Sequence, residues 1–322
     1  MYDLVTIGDI KLDVFIDLGR EAKVSCELNR KDCLLSLEYG KKIPVHSALT
    51  MAAGSAMNVA LGTRRLGASS GIVSVMGNDS AHALAVATLK AEGIDTTHIT
   101  AEKGESSFSA ILNFEGESTM LSAHRPYSYT LPKSLKTKWL FVSEMGPNHR
   151  SLFRQILAFT KKNKTQLAFN PGTVQLERID LAFLDFVERV NLLLVNKDEA
   201  KKIAGVKTDN ISALLSTLRA LGPETVVITD GPKGVYACYK NQNYFAPAFP
   251  AMLVEATGAG DAFSAGFITA MIKDKGIESA LACGTANAAS VISKIGPQAG
   301  LLSQTELARR LKNAPEYGVR KL

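Results

Sequence analysis

The strongest constraint on the fold is a rhythm. Short, apolar, β-rich runs alternate with segments of helical spacing over most of the 322 residues. Runs at 4–8, 71–76, 139–143, 166–169, 191–195 and 225–229 read as strands. Between them, Leu152, Phe153, Ile156, Leu157 and Thr160 mark one helical face. Ile211, Leu214, Leu215 and Leu218 mark another, closed by Gly222-Pro223. This alternation predicts an α/β chain with a mainly parallel central sheet and helices on both faces. Two stretches break the rhythm. Residues 12–50 show apolar alternation without a clear helix, as in Cys33-Leu34-Leu35-Ser36-Leu37-Glu38-Tyr39. Residues 108–125 read as a hairpin about the turn Glu115-Gly116-Glu117-Ser118. They predict a small β appendage, its strands drawn from about 12–50 and 105–126 and inserted in one domain spanning 1–322. No internal repeat, low-complexity tract or long linker divides the chain.

Composition narrows the function classes. The formal charge of +6 is mild and no Lys/Arg-rich run with interleaved aromatics occurs, so no nucleic-acid footprint is expected. Cys26, Cys33, Cys238 and Cys283 form no C-x-x-C pair and lie near no His cluster, which argues against a zinc site or a disulfide framework. They are expected to be ordinary thiols in a reducing compartment. The N-terminal MYDLVTIGD has no basic region leading into an apolar one, so no signal peptide is expected. No apolar stretch is long enough to span a membrane. The chain reads as cytoplasmic and soluble.

The segment richest in chemistry is 256–267, ATGAGDAFSAGF. Gly258 and Gly260 let the backbone turn sharply and approach a ligand. Asp261 then opens a helical pattern through Phe263, Phe267, Ala270 and Met271. Unpaired N–H groups converge at such a helix start and suit an anion, although an acid there also serves as a plain cap or charge complement. The segment is neither a Walker A loop nor a dinucleotide fingerprint. Phosphoryl transfer needs an anion hole and a carboxylate near the attacking hydroxyl, and these four residues offer both.

ATGAGDAFSAGF resembles the C-terminal signature D-T-x-G-A-G-D of the ribokinase-like (PfkB) carbohydrate kinases. The resemblance implies a three-layer α/β/α sandwich with a small β-sheet lid. It implies an ATP-dependent phosphotransferase that moves the γ-phosphate to a hydroxyl of a ribose- or fructose-type sugar. Asp261 is then the general base, and Gly258, Ala259 and Gly260 supply the anion hole. Asp13 in GDIKLD matches the family aspartate that holds substrate hydroxyls. Gly54 and Asn58 in AAGSAMNVALGTRRLG match G-G-x-x-x-N-x-A, with Ala53 replacing the first glycine of a hinge pair. Asn170 in NPGT is expected to face the phosphates. Asn196 and Glu199 match N-x-x-E, which organises Mg²⁺ and phosphate largely through water. Thr229, Gly231 and Gly234 are expected near ATP, and Asn287 at the adenine pocket. Glu144 and Arg125 are candidate substrate contacts. Taken singly, each motif has a plain structural reading, such as a strand-end acid, a turn asparagine or a capping box. Their shared order and spacing carry the resemblance over nearly the whole chain.

Two departures bear on chemistry. Glu255 and Ala256 stand where the family has Asp and Thr, which puts monovalent-cation activation in doubt. The substrate class also stays open. A nucleoside is the alternative acceptor, with Phe15, Leu35, Leu37 and Phe108 as candidates to stack a base, to pack the lid, or to form a lid-to-lid homodimer. A non-catalytic sugar- or nucleotide-binding regulator is the reading from a different class.

Overall fold

The computed structural model describes residues 1–19, 23–26, 33–115 and 117–322. The chain opens with β1 (Tyr2–Ile7), β2 (Lys11–Asp17), β3 (Lys23–Cys26), β4 (Cys33–Ser36) and β5 (Ser47–Ala53), then enters α1 (Ser55–Arg65). β6 (Ser70–Gly77), α2 (Ser80–Ala91) and β7 (Ile99–Glu102) precede a hairpin of β8 (Ser107–Phe114) and β9 (Glu117–Ala123). Regular alternation resumes with β10 (Thr137–Val142), α3 (Arg150–Asn163), β11 (Gln166–Phe169), α4 (Thr173–Leu176), α5 (Leu181–Glu188) and β12 (Leu192–Asn196). It continues through α6 (Lys197–Ala204), α7 (Ile211–Ala220) and β13 (Thr225–Thr229). After a 3₁₀ turn (Gly231–Lys233) come β14 (Val235–Tyr239), β15 (Gln242–Ala246), α8 (Ala259–Ile272), α9 (Gly276–Val291), α10 (Gln304–Lys312) and β16 (Arg320–Lys321).

The main sheet has ten strands in the order β16-β15-β14-β13-β12-β11-β10-β1-β6-β7. From β7 to β13 every pairing is parallel, and β14, β15 and β16 are added antiparallel. Successive strand residues point to opposite faces. Val5, Ile7, Leu140, Val142, Leu193, Val195, Val226 and Ile228 pack with Leu152 and Phe153 of α3, Phe186 of α5 and Leu214 of α7. Leu4, Phe141, Leu192, Leu194 and Val227 pack on the other side with Val59 of α1, Phe263 and Phe267 of α8 and Leu281 of α9. Both faces are therefore dry, which is why these strands read as unbroken apolar runs. Each fully buried Leu, Val or Phe adds about 1.5–3 kcal/mol. Phe153 and Phe186 also stack, with ring centroids 3.9 Å apart and planes 12° from parallel.

A second sheet of four strands, in the order β5-β2-β8-β9, forms the lid. β2 pairs parallel to β8 and antiparallel to β5. Lys11, Asp13 and Phe15 alternate onto its buried inner face. Phe108 is in register with Leu12, on the opposite face from Asp13, and is 38% exposed. The appendage is thus not a single unit, since β3 and β4 form a separate two-stranded ribbon. The expected turn at 115–118 is shorter, because β9 already starts at Glu117, while Gly116 lies outside the described residues. Cys238 and Cys283 are buried free thiols. Cys33 is disulfide-bonded, which corrects the reading of all four cysteines as ordinary thiols. Among the described residues no helix is long and apolar enough to cross a membrane.

Candidate active site

The start of α8 is set by Gly258, whose φ of 83° lies in the left-handed region that favours glycine. The helix begins at Ala259, so Asp261 sits within its first turn rather than opening it. First-turn amides have no partner inside their own helix and point outward from its end. Asn58 Nδ2 donates to Asp261 Oδ2 at 2.8 Å. Burial pushes the Asp261 carboxyl above its ordinary pKa, while hydrogen bonds from Asn58 and Ser55 oppose that rise.

Those two donors come from α1, which Gly54 starts with φ 118°. A Cβ on Gly54 would lie 2.4 Å from the Asp9 carbonyl oxygen, so the position admits only glycine. Ser55 and Asn58 are three residues apart and share one helix face, which turns both toward Asp261. Ala53, in place of a glycine, ends β5 and is buried.

A ring of charge surrounds Asp13. Lys11 and Asp13, two residues apart on β2, are each 4% exposed. The Lys11 ammonium is ion-paired with Glu144. His124 bridges two acids, with Nδ1 3.5 Å from Asp9 Oδ2 and Nε2 3.4 Å from Glu144 Oε1. Hydrogen bonds to Asp9 and then Glu144 raise the His124 pKa to about 9, so the ring is protonated at neutral pH. Burial works against charge on Glu144, yet His124 and Lys11 outweigh it and hold its pKa near 2. Tyr129 donates from its hydroxyl to Asp9 Oδ1 at 2.6 Å. Asp13 is the member left short of partners. Its Oδ1 is buried with no hydrogen-bond partner among the described residues. Burial lifts its pKa to about 6 despite Lys11 and Ser109, and the charges of Glu144 and Asp261 add to the rise.

Along the carboxyl edge of the main sheet, where open α/β folds take ligands, lie Asn170 after β11, Asn196 ending β12 and Thr229 ending β13. Asn170 Nδ2 donates to Leu194 O at 2.9 Å and ties two strand ends together. Asn196 and Glu199 form a capping box at α6, each backbone N–H donating to the other's side chain at 2.9 Å. Burial lifts the Glu199 pKa to about 7, and Glu144 adds to it. Gly231 (φ 51°) and Gly234 (φ 100°) bracket the turn after β13. Next to the α8 loop, Glu255 is buried and accepts from Gly296 N (2.7 Å), Thr257 N (3.0 Å) and Ser118 Oγ (3.4 Å), which joins the tip of the lid to this loop.

The profile of the pfkB family of carbohydrate kinases matches residues 25–304. The chain belongs to this family. It is 30% identical to the ribokinase of Haemophilus influenzae over 275 residues, 81% of this chain and 87% of that enzyme. It is 24% identical to a nucleoside kinase of Methanocaldococcus jannaschii over 281 residues, 85% of this chain and 90% of that one. Among solved structures, the ribokinase of Arabidopsis thaliana with ribose and ATP superposes with a TM-score of 0.78 at 18% identity, covering 97% of this chain and 99% of that one. The protein is therefore a kinase, a phosphotransferase with the ribokinase-like fold.

Within the kinase, Asp13, Gly54, Asn58, Glu144 and Asp261 converge on one space, while Asn170, Asn196, Glu199, Thr229, Gly231 and Gly234 follow the sheet edge. Two expected contacts are corrected. The Arg125 guanidinium turns outward, pairs with Glu105 and is half-exposed; its neighbour His124 is the residue that faces in. Asn287 is 0% exposed, its amide spent on Ala262 O (2.7 Å) and Leu302 N (3.1 Å), so it ties α9 to α8 and to the segment before α10 instead of lining an adenine pocket. Asp9, Lys11, Ser55 and His124 went unread, because a charged or hydroxyl residue in a strand or helix start reads as solvated unless the chain places another acid against it.

Proposed function

We propose that the kinase transfers the γ-phosphoryl group of ATP to a hydroxyl of a ribose- or fructose-type sugar, with Asp261 as general base. The observation that carries this reading is the pairing of two acids across one space. Asp13 presents a buried carboxylate oxygen with no partner among the described residues, and Asp261 stands opposite in the first turn of α8. Asp13 Oδ1 and Glu144 accept hydrogen bonds from substrate hydroxyls. Asp261 accepts the proton of the attacking hydroxyl as its oxygen bonds to the γ-phosphorus and the bond to ADP breaks. The amides of Gly258, Ala259, Gly260 and Asp261 stabilise the charge on the transferring group. The lid covers the substrate and excludes water.

Among the described residues no group of three or more His, Cys, Asp or Glu is set to hold a metal ion. A single carboxylate disfavoured in its charged form, as Glu199 is, suits Mg²⁺ held mainly by phosphates and water. When bound with ATP, Mg²⁺ supplies neutralising charge, and Asn196 and Glu199 would hold its water shell. The Glu255 carboxylate is already satisfied by two amides and a hydroxyl, so it lends no support to a monovalent-cation site.

A nucleoside acceptor is the second reading, supported by the likeness to an enzyme named a nucleoside kinase. Phe15 shares the inner face with Asp13 and supports it, whereas Phe108 on the outer face does not. Phe108 and Leu121, 38% and 58% exposed, favour instead a lid-to-lid homodimer in the cytoplasm, which sedimentation would check. The deciding assay is ADP release from Mg-ATP across pentoses, hexoses, sugar acids, sugar phosphates and nucleosides, with Asp261→Asn as control. Turnover on one class that falls by a few orders of magnitude in Asp261→Asn, acceptor binding retained, is the expected result. Near-normal turnover in that variant refutes the base assignment.

A further inference from the structure

We infer that Gln298 is a positioning residue for the proposed base: by fixing the amide of Asn58, it selects which end of that amide Asp261 meets. The inference rests on the reading of Asp261 given above. Gln298 lies between α9 and α10 and is 7% exposed. Its Nε2 donates to Ala52 O at 2.9 Å and to Asn58 Oδ1 at 3.0 Å. A backbone carbonyl only accepts, so the end of Gln298 that faces Ala52 must be the –NH₂. Its second hydrogen then requires an acceptor on Asn58, which must present Oδ1. That leaves Asn58 Nδ2 for Asp261 Oδ2, at 2.8 Å.

Asn58 is 3% exposed, so water offers no easy substitute for either contact. Were its amide reversed, its oxygen would face the Asp261 carboxylate and its –NH₂ would face that of Gln298. Both contacts would be repulsive. Amide orientation is normally the weakest part of such an assignment, but here it is anchored on a carbonyl that has one polarity. The loop that carries Gln298 is itself pinned, since Arg65 Nη1 donates to Gln298 O at 2.9 Å. The relay runs from Ala52, in the lid strand β5, through Gln298 and Asn58 to the base.

The Asn58 donation helps keep Asp261 anionic in surroundings that favour its neutral form. The titratable groups that act on it are Glu144 and Asp13, which oppose its charge, and Lys11, which favours it. Without the Gln298 donor, Asn58 is free to turn its oxygen to Asp261, and proton affinity there rises.

The test is a ¹³C-carboxyl titration of aspartate-labelled protein, with the Asp261 signal assigned by its loss in Asp261→Asn. Gln298→Met, and Gln298→Leu as a second variant, are expected to raise the Asp261 pKa by about one unit, a tenfold gain in proton affinity. In an Asn58→Ala background the same changes are expected to leave it unmoved. A folded Gln298 variant that titrates as the wild type does, or an equal rise in the Asn58→Ala background, overturns the inference. Should neither variant fold, a neutron structure of the wild-type protein decides it. Deuterons on the Asn58 atom facing Asp261 are expected there, and an oxygen at that place refutes the relay. Because the titration needs no acceptor, it stays readable even if Asp261→Asn turns over normally, so failure of the base assignment and failure of the relay are told apart.

Discussion

Replacing Lys11 by Met tests whether the buried charge ring is organised as described. The Met side chain fills similar volume but leaves Glu144 and Asp9 with His124 alone and takes from Asp13 the cation that favours its charge. The fall of the Glu144 pKa from 4.5 to about 2 is a net gain of about 3 kcal/mol, left after His124 and Lys11 have overcome the cost of burial. Breaking a buried pair by removing one partner costs roughly 3–5 kcal/mol. About 3 kcal/mol is therefore expected at pH 7.5, and at ~2–4 °C per kcal/mol the melting temperature falls by about 6–12 °C. The pH dependence makes the prediction specific. In the wild type, Glu144 titrates below its unfolded value, so its contribution is present above about pH 4.5 and fades as pH falls toward 2. Without Lys11, the folded carboxylates bind protons more tightly than the unfolded chain does, so stability is regained as pH falls. Calorimetry of both proteins at pH 7.5 and 5.5 measures this. A deficit that is smaller at pH 5.5, and smaller again in Lys11→Met/Glu144→Gln, is expected. A deficit equal at both pH values, or a change in melting temperature near zero, refutes the ring.

Asp13 has a pKa of about 6, so the acceptor KM is expected to rise about tenfold for each pH unit below that value. The KM for ATP should stay level in the same assays, and Asp13→Asn should raise the acceptor KM and remove the dependence. Gly54→Ala is expected to destabilise by several kcal/mol, since its φ of 118° and the 2.4 Å approach to Asp9 O leave no room for a Cβ; urea unfolding checks this. Phe186→Ala, which removes the ring stacked on Phe153, should cost about 3–5 kcal/mol by the same method and leave KM unchanged in the surviving folded fraction.

The main sheet was readable because its strands are dry on both sides. Runs such as 191–195 and 225–229 had no other economical interpretation. The glycine-rich turn into α8 was readable through its match to the family signature, since an acid after glycines at a helix start also serves as a plain cap. What escaped the sequence depended on which face a residue takes. Arg125 and His124 are neighbours on the way out of β9, and a one-residue change of face exchanges the inward side chain for the outward one. Lys11 went unread, because no local pattern reveals Glu144 from 133 residues away. Asn287 fits a motif, yet its amide closes one backbone contact to Ala262 in α8 and another to Leu302 before α10, and only tertiary packing brings these together.

The lid hangs from the main domain by four connections, at residues 8–10, at Gly54, at 103–106 and at 124–136. All four leave the same end of the lid sheet, since Lys11 pairs with Ala53 and Ser107, and Phe108 with Ala123. The first two touch, since Gly54 packs on the carbonyl of Asp9. A flap with every strap at one edge swings like a door. A seven-residue strand such as β2 reaches about 20 Å, so turning it by ~10° carries the far end about 3–4 Å and the hinge end hardly at all. Lys11 and Asp13 sit at the hinge end, while Ser118 on Glu255 is the catch at the free end. Releasing that catch would open a gap over the phosphate side while the grip on the hydroxyl side persists. A swing of this kind would uncover the α8 loop and leave Lys11 and Asp13 almost where they stand.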